Sequence, residues 1–226
     1  GYMNYQPLKV FNLKLGAGEI FSLAVITRFY NLITPFKGGM AARAVYLKKK
    51  HKFPYTDFLA TLAASYVLIF LIASLTGIIT TYLIYKATGT FSLIIFLIFL
   101  VVFFPLLFIV IFSPKFPDTK NFWLNRIIRI VNGWHLIKNN YKVIFSVSLL
   151  SLIQIIIGSL MLYLQFRVFG VNVAFVSTLF LTAISSLGLL IALTPAGLGI
   201  NEAIIVFSAL TIGITPTQSL SAALLG

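Results

Sequence analysis

Cysteine is absent from the chain, and acidic residues number only four. Without cysteine, disulfide and thiolate chemistry are excluded and the redox compartment leaves no signature. Charge of either sign is scarce, at 9% of 226 residues. A soluble domain carries about 25%, because its surface must stay in water. Hydrophobic residues make up 60% and mean hydropathy is +1.04. Such a chain cannot cover a water-facing surface, so lipid is its expected solvent. The scattered acids and two histidines form no metal cluster, acid/base pair or activated nucleophile. The expectation is therefore no catalytic residue, no metal, no cofactor and no enzymatic activity, with any catalytic domain lying outside this segment. Residues 1–18 are mixed in character and do not resemble a signal peptide, so none is expected within them. The chain opens on Gly1, and it stops at Gly226 soon after Thr215-Pro216 opens a helix, so a fragment truncated at both ends is expected.

What is abundant is positive charge, +13 net, interspersed between apolar runs. Elsewhere such a balance would suggest nucleic acid; between membrane-length runs it is the pattern of cytoplasmic loops, and nucleic acid is not an expected partner. Apolar runs at 58–85, 91–112 and 143–166 hold Leu, Ile and Phe with no interior charge. Each is long enough to cross a hydrocarbon core of about 30 Å. The loop at 37–55 carries Lys37, Arg43, Lys48, Lys49, Lys50 and Lys52, and that at 113–142 carries Lys115, Lys120, Arg126, Arg129, Lys138 and Lys142. The connections at 86–90 and 167–172 hold only Lys86 and Arg167 respectively. Both rich loops are expected in the cytoplasm, and the chain in the plasma membrane as a multi-pass protein.

Within the second loop, Leu124, Ile127, Ile128, Val131 and Trp134 follow helical spacing while Arg126, Arg129 and Asn132 point elsewhere. Residues 121–138 thus read as an interfacial amphipathic helix, with Trp123 and Trp134 as headgroup-level anchors. The plainer alternative is a solvated loop that only sets topology.

The chain also echoes itself. Leu32-Ile33-Thr34-Pro35-Phe36-Lys37-Gly38-Gly39 is matched by Ala192-Leu193-Thr194-Pro195-Ala196-Gly197-Leu198-Gly199. In each, an apolar helix runs into Thr-Pro, a glycine follows four residues after the proline, and a second apolar stretch begins. Proline removes a backbone donor and disfavours helix before it, and glycine tolerates turns. Breaks of this kind at membrane depth survive only where buried in protein or lining a wet cavity. Paired, interrupted segments in corresponding places point to a transporter substrate site. If 19–50 is a hairpin that returns to the cytoplasmic face, Lys9 and Lys14 are cytoplasmic as well. Three spans then intervene, and the second hairpin, 173–213, enters from the opposite face. The expected fold is all-α, a single membrane domain. It is a polytopic transmembrane helix bundle with two re-entrant or broken helical hairpins in inverted orientation. Chance similarity of two short Thr-Pro/Gly pieces is the competing explanation.

The run from Thr34 through Gly39, Arg43 and Tyr46 to Lys49, and the piece Thr194-Pro195-Ala196-Gly197-Leu198-Gly199-Ile200-Asn201-Glu202-Ala203, resemble the transmembrane region of the lysylphosphatidylglycerol synthase family. Flippase-like membrane proteins and the membrane part of some archaeal glycosyltransferases are among its relatives. The resemblance covers nearly the whole chain in order and spacing. It implies a domain that moves a phospholipid or lipid-linked headgroup between leaflets. It marks Pro35, Gly39, Arg43, Pro195, Gly197, Gly199 and Glu202 as functional. Two departures stand out: Met40 occupies a position usually acidic in the family, and Ser65-Tyr66 stands where an arginine and an acid are common.

An ionisable residue within a span costs at least about 2.5–3.5 kcal/mol on insertion scales, so it usually has a partner or a wet cavity. Arg28, midway along the first descending arm, is a candidate for a lipid phosphate or a snorkelling side chain. Glu202, with Asn201 beside it, opens the helix after the second break. The alternatives are a cap on that helix, a hold on a cationic headgroup, or a pair with Arg28 or Arg43. Arg43 follows the Gly-Gly break and stands above the baseline of loop arginines that only enforce topology. His51 and His135 read as incidental. The function expected is lipid translocation, with membrane lipids as partners, specifically an anionic phospholipid or lipid-linked headgroup. The alternative is a membrane scaffold for a lipid aminoacyltransferase or glycosyltransferase domain, fused or separate; homo-oligomers fit either reading. An ion or solute transporter ranks last, because the spans between the hairpins contain no acid to couple ions.

Overall fold

The computed structural model describes residues 2–11, 13–34, 38–113, 115–117, 119, 128, 132, 134–135, 137–190 and 194–225. Among them there are helices and no strands. After a short α1 (Tyr2–Tyr5) and a 3-10 turn come α2 (Ala17–Ile33), α3 (Gly38–His51) and α4 (Tyr55–Thr88). Then follow α5 (Leu93–Phe112), α6 (Tyr141–Val168), α7 (Phe175–Leu187), α8 (Ile200–Leu210) and α9 (Pro216–Leu224).

Three of these, α4, α5 and α6, are long and apolar enough to cross a membrane. At 1.5 Å per residue they measure about 51, 30 and 42 Å. They match the expected spans; α4 and α6 run two or three residues further at each end, and α5 begins two residues later. Tyr55-Thr56-Asp57 begins α4, with the acid in the first turn, where a helix dipole favours it. Hydroxyls along α4 need no outside partner. Thr61, Ser65, Ser74, Thr76, Thr80, Thr81 and Thr88 each donate to a carbonyl three or four residues back. In hydrocarbon, where no water can satisfy a polar group, that back-bonding lets a helix carry hydroxyls.

The chain packs as two compact units: Gly1–Ile69 with Pro105–Leu150, and Phe70–Phe104 with Ser151–Gly226. In the first, Tyr5, Leu8, Leu15, Leu23, Leu47, Phe53 and Phe58 form one core. The edge-on pair Phe11–Phe53, 5.3 Å between ring centroids, ties the amino-terminal segment to the chain after α3. A second core in this unit joins Ala64, Val67 and Leu68 of α4 to Trp134, Ile137, Val143 and Val147. Trp134 is therefore not a headgroup anchor. It is 2% exposed, and its indole Nε1 donates to Ser113 Oγ at 3.2 Å, because a large apolar ring gains most where it can bury its area and still find an acceptor. Most of the expected interfacial helix 121–138, including Trp123, Arg126 and Arg129, lies outside the described residues.

In the second unit Gly77 of α4 receives Phe99 of α5. A Cβ at Gly77 would stand 2.1 Å from the Phe99 ring, and Phe99 also meets Phe180 of α7 edge-on at 6.2 Å. Gly158 of α6 faces the Thr182 methyl of α7, and Gly188 faces Ile204 of α8. Small residues on long helices thus set the close approaches, as in membrane bundles generally.

Candidate functional site

The first break is a helical hairpin. Helix α2 ends at Thr34, whose backbone is extended (φ −117°, ψ 142°), the conformation a following proline imposes. The Thr34 hydroxyl and amide both return to the Tyr30 carbonyl. Pro35 itself, with Phe36 and Lys37, lies outside the described residues. Helix α3 then returns antiparallel to α2. At its start the Gly39 N–H donates to Asn31 Oδ1 at 2.9 Å, and a Cβ on Gly39 would fall 2.0 Å from the Thr27 carbonyl oxygen. A Cβ on Gly38 would meet Thr34 Oγ1 at 2.4 Å. These glycines let two backbones touch.

From that contact a buried stripe runs along α3 at four-residue spacing: Gly39, Arg43, Leu47. It faces α2, whose buried positions are Leu23 and Thr27. Arg43 is 1% exposed, and its Nε and Nη2 have no hydrogen-bond partner. Arg28 is placed differently. It is exposed on the outer side of α2, where Phe21, Val25 and Phe29 are exposed too. The hairpin separates the two arginines into an inner and an outer one.

At the open end, Glu19 in the first turn of α2 gathers the last turns of α3. Its Oε1 lies 2.7 Å from the Tyr46 hydroxyl, 2.6 Å from His51 Nε2 and 3.1 Å from Lys50 Nζ. Burial pushes the Glu19 carboxyl up, but hydrogen bonds from His51, Tyr46 and Lys50 outweigh it and hold the group at about 2. His51, incidental on sequence grounds, is part of this clasp. Sequence reading also passed over Glu19, Tyr46, Thr27 and Asn31. One signal was available: Glu19 is the lone acid before Asp57, and a hairpin over 19–50 sets it beside Lys50.

The second break belongs to the other unit and is built differently. Helix α7 ends at Leu187 in a short 3-10 turn, Gly188–Leu190. Residues 191–193 lie outside the described ones. Thr194 is extended, its hydroxyl donates to the Leu198 carbonyl at 2.9 Å, and Pro195–Gly197 makes one 3-10 turn. Gly197 and Gly199 hold φ of 76° and 80°, in a region that side chains disfavour, and a Cβ on either would meet open space. Here glycine supplies backbone freedom; in the first break it supplies room. Glu202 Oε2 accepts the Gly199 N–H at 2.6 Å, closing the first turn of α8 as half of a capping box. Asn201 Oδ1 accepts the Ser185 hydroxyl and so ties α8 to α7.

Chemically, the first hairpin offers a buried cation and the second a ring of caps and turns. Among the described residues no group of three His, Cys, Asp or Glu could hold a metal. No curated protein and no solved structure matches the chain significantly. A family model does, over residues 8–226. The resemblance carried by the two Thr-Pro/Gly pieces thus extends along nearly the whole sequence, and the chain belongs to the family described as the lysylphosphatidylglycerol synthase TM region.

Proposed function

We propose that this membrane domain moves a phospholipid or lipid-linked headgroup between leaflets. The reading is carried by Arg43: a guanidinium with two unpartnered nitrogens, buried on the inner stripe of a broken hairpin. An unpaired buried charge is costly, and in a membrane protein such a residue marks a substrate path. A lipid phosphate is the anion most abundant around a hairpin whose outer face is apolar. In this reading the basic ends of α3 face the cytoplasm of a plasma-membrane protein. The hairpins descend from opposite faces, and Glu202 caps the helix that follows the second break. No catalytic residue is required.

The family description, which names a synthase, favours one second reading, in which the domain only holds a catalytic part elsewhere in the membrane. Reconstitution separates the two. Purified protein in vesicles carrying fluorescent phospholipids should accelerate leaflet exchange, and R43Q should abolish the acceleration. Exchange no faster than in empty vesicles would leave the scaffold.

A further inference from the structure

We infer that the interior of the α2–α3 hairpin is a binding site for a phospholipid headgroup of net negative charge. In this site the phosphate is held side-on by Arg43 and no cationic group stands beside it. The lipid identity of the ligand rests on the proposed translocation role; the charge selectivity rests on the site.

The first argument is geometric. The unpartnered nitrogens of Arg43 are Nε and Nη2. Their N–H bonds lie parallel on one edge of the planar guanidinium, and that edge is the fork that takes two oxygens of a phosphate or carboxylate together. A buried, unpartnered fork of this kind selects an oxyanion, since guanidinium stays charged and has no acceptor of its own.

The second argument is the inventory of counter-charges. In this unit the acids among the described residues are Glu19 and Asp57. Glu19 is committed at the open end to Tyr46, Lys50 and His51. Asp57 sits in the first turn of α4, half-buried, with the Thr56 hydroxyl on it. Neither pairs with Arg43. The buried Thr and Ser hydroxyls described in the unit, Thr27, Thr61 and Ser65, spend their protons on carbonyls of their own helices, and the Tyr5 hydroxyl donates to the Leu13 carbonyl. The interior therefore provides one full positive charge and no described carboxylate. A monoanionic headgroup neutralises it. An ammonium-bearing headgroup would bring a second cation next to Arg43 in low dielectric, where like charges repel far more strongly than in water.

The third argument is access. Exposed Lys48, Lys49 and Lys50 crowd the end of α3, with Lys52 and Lys14 also exposed near the same end of the hairpin. Such a rim concentrates anionic headgroups at the mouth.

The test is thermal unfolding of the full chain in maltoside micelles, with phosphatidylglycerol, phosphatidylcholine, lysyl-phosphatidylglycerol or water-soluble glycerophosphate added. Phosphatidylglycerol should raise Tm by roughly 5 °C at saturation, and the other three should not. R43M should be at least as stable as the wild type without lipid, since it removes an orphaned charge, and should lose the phosphatidylglycerol shift. R43K keeps the charge but not the fork, and should weaken the lipid about tenfold. Equal shifts from phosphatidylcholine or the lysyl lipid would overturn the charge selectivity. An equal shift from glycerophosphate would overturn the lipid. A full phosphatidylglycerol shift in R43M and R43K would overturn the site. Leaflet exchange measured on the same preparation separates this inference from the proposed role. An Arg43-dependent shift without exchange upholds the site and removes translocation; exchange without such a shift does the reverse.

Discussion

Gly39 stands so close to Thr27 that a Cβ built on it would lie 2.0 Å from the Thr27 carbonyl oxygen. Real Cβ atoms do not approach a backbone oxygen that closely, so α2 and α3 meet here only because the residue is glycine. Everything further along α3 inherits its register from that contact, including the inward placement of Arg43 one turn later.

The first prediction follows directly. Gly39→Ala should destabilise the hairpin by about 3 kcal/mol, the upper end for overpacking, because the obstacle is backbone. Gly38→Ala should cost less, since its neighbours are atoms of the Thr34 side chain, which can rotate. Gly199→Ala meets open space and should cost about 1–2 kcal/mol for its left-handed φ alone. Thermal unfolding of the three variants side by side checks the order.

The clasp at Glu19 responds to acid in a defined window. Its carboxyl is held at about 2, below the ordinary 4.5, so it binds fewer protons folded than unfolded. The carboxylate's contribution is complete above pH 4.5 and is lost as pH falls through about 2. Spin labels on cysteines at Phe21 and Val45, exposed positions of α2 and α3, should report an interhelical distance that this carboxylate leaves unchanged above pH 4.5. E19Q should broaden the distribution at neutral pH. A sharp distribution in E19Q would show that the mouth is held by apolar packing alone.

Glu202 should behave as a cap. Glu202→Gln retains an oxygen for the Gly199 N–H and should be nearly neutral for stability, whereas Glu202→Ala should lose about 1 kcal/mol. If Gln nevertheless slows leaflet exchange, the negative charge has a role beyond the cap. If both variants exchange at the wild-type rate, Glu202 acts as a cap alone.

These features were unequally legible in the sequence. The spanning helices were readable because lipid dictates them: hydrocarbon thickness sets their length and excludes charge along it. The breaks were readable because Thr-Pro and Gly act locally on the backbone. What the glycines do at each break was not, because Gly39 and Gly199 share a spacing from proline yet answer to a neighbouring helix in one case and to φ in the other. Arg28 and Arg43 looked alike in sequence, and only the packing of α2 on α3 tells them apart. Trp134 was misread because an aromatic residue in a basic segment suits an interface and a core equally well. The clasp escaped because its members are separated by 27 to 32 residues.

The most direct test of the central claim asks whether both ends of the α2–α3 hairpin lie on one side of the membrane. Since the chain has no cysteine, single substitutions K14C, K49C and K86C give clean reporters for a membrane-impermeant maleimide in oriented vesicles. The account predicts that K14C and K49C are labelled from the same face and K86C from the other. Labelling of K14C and K49C from opposite faces would mean that α2 crosses the bilayer, and the hairpin site at Arg43 would be lost with it.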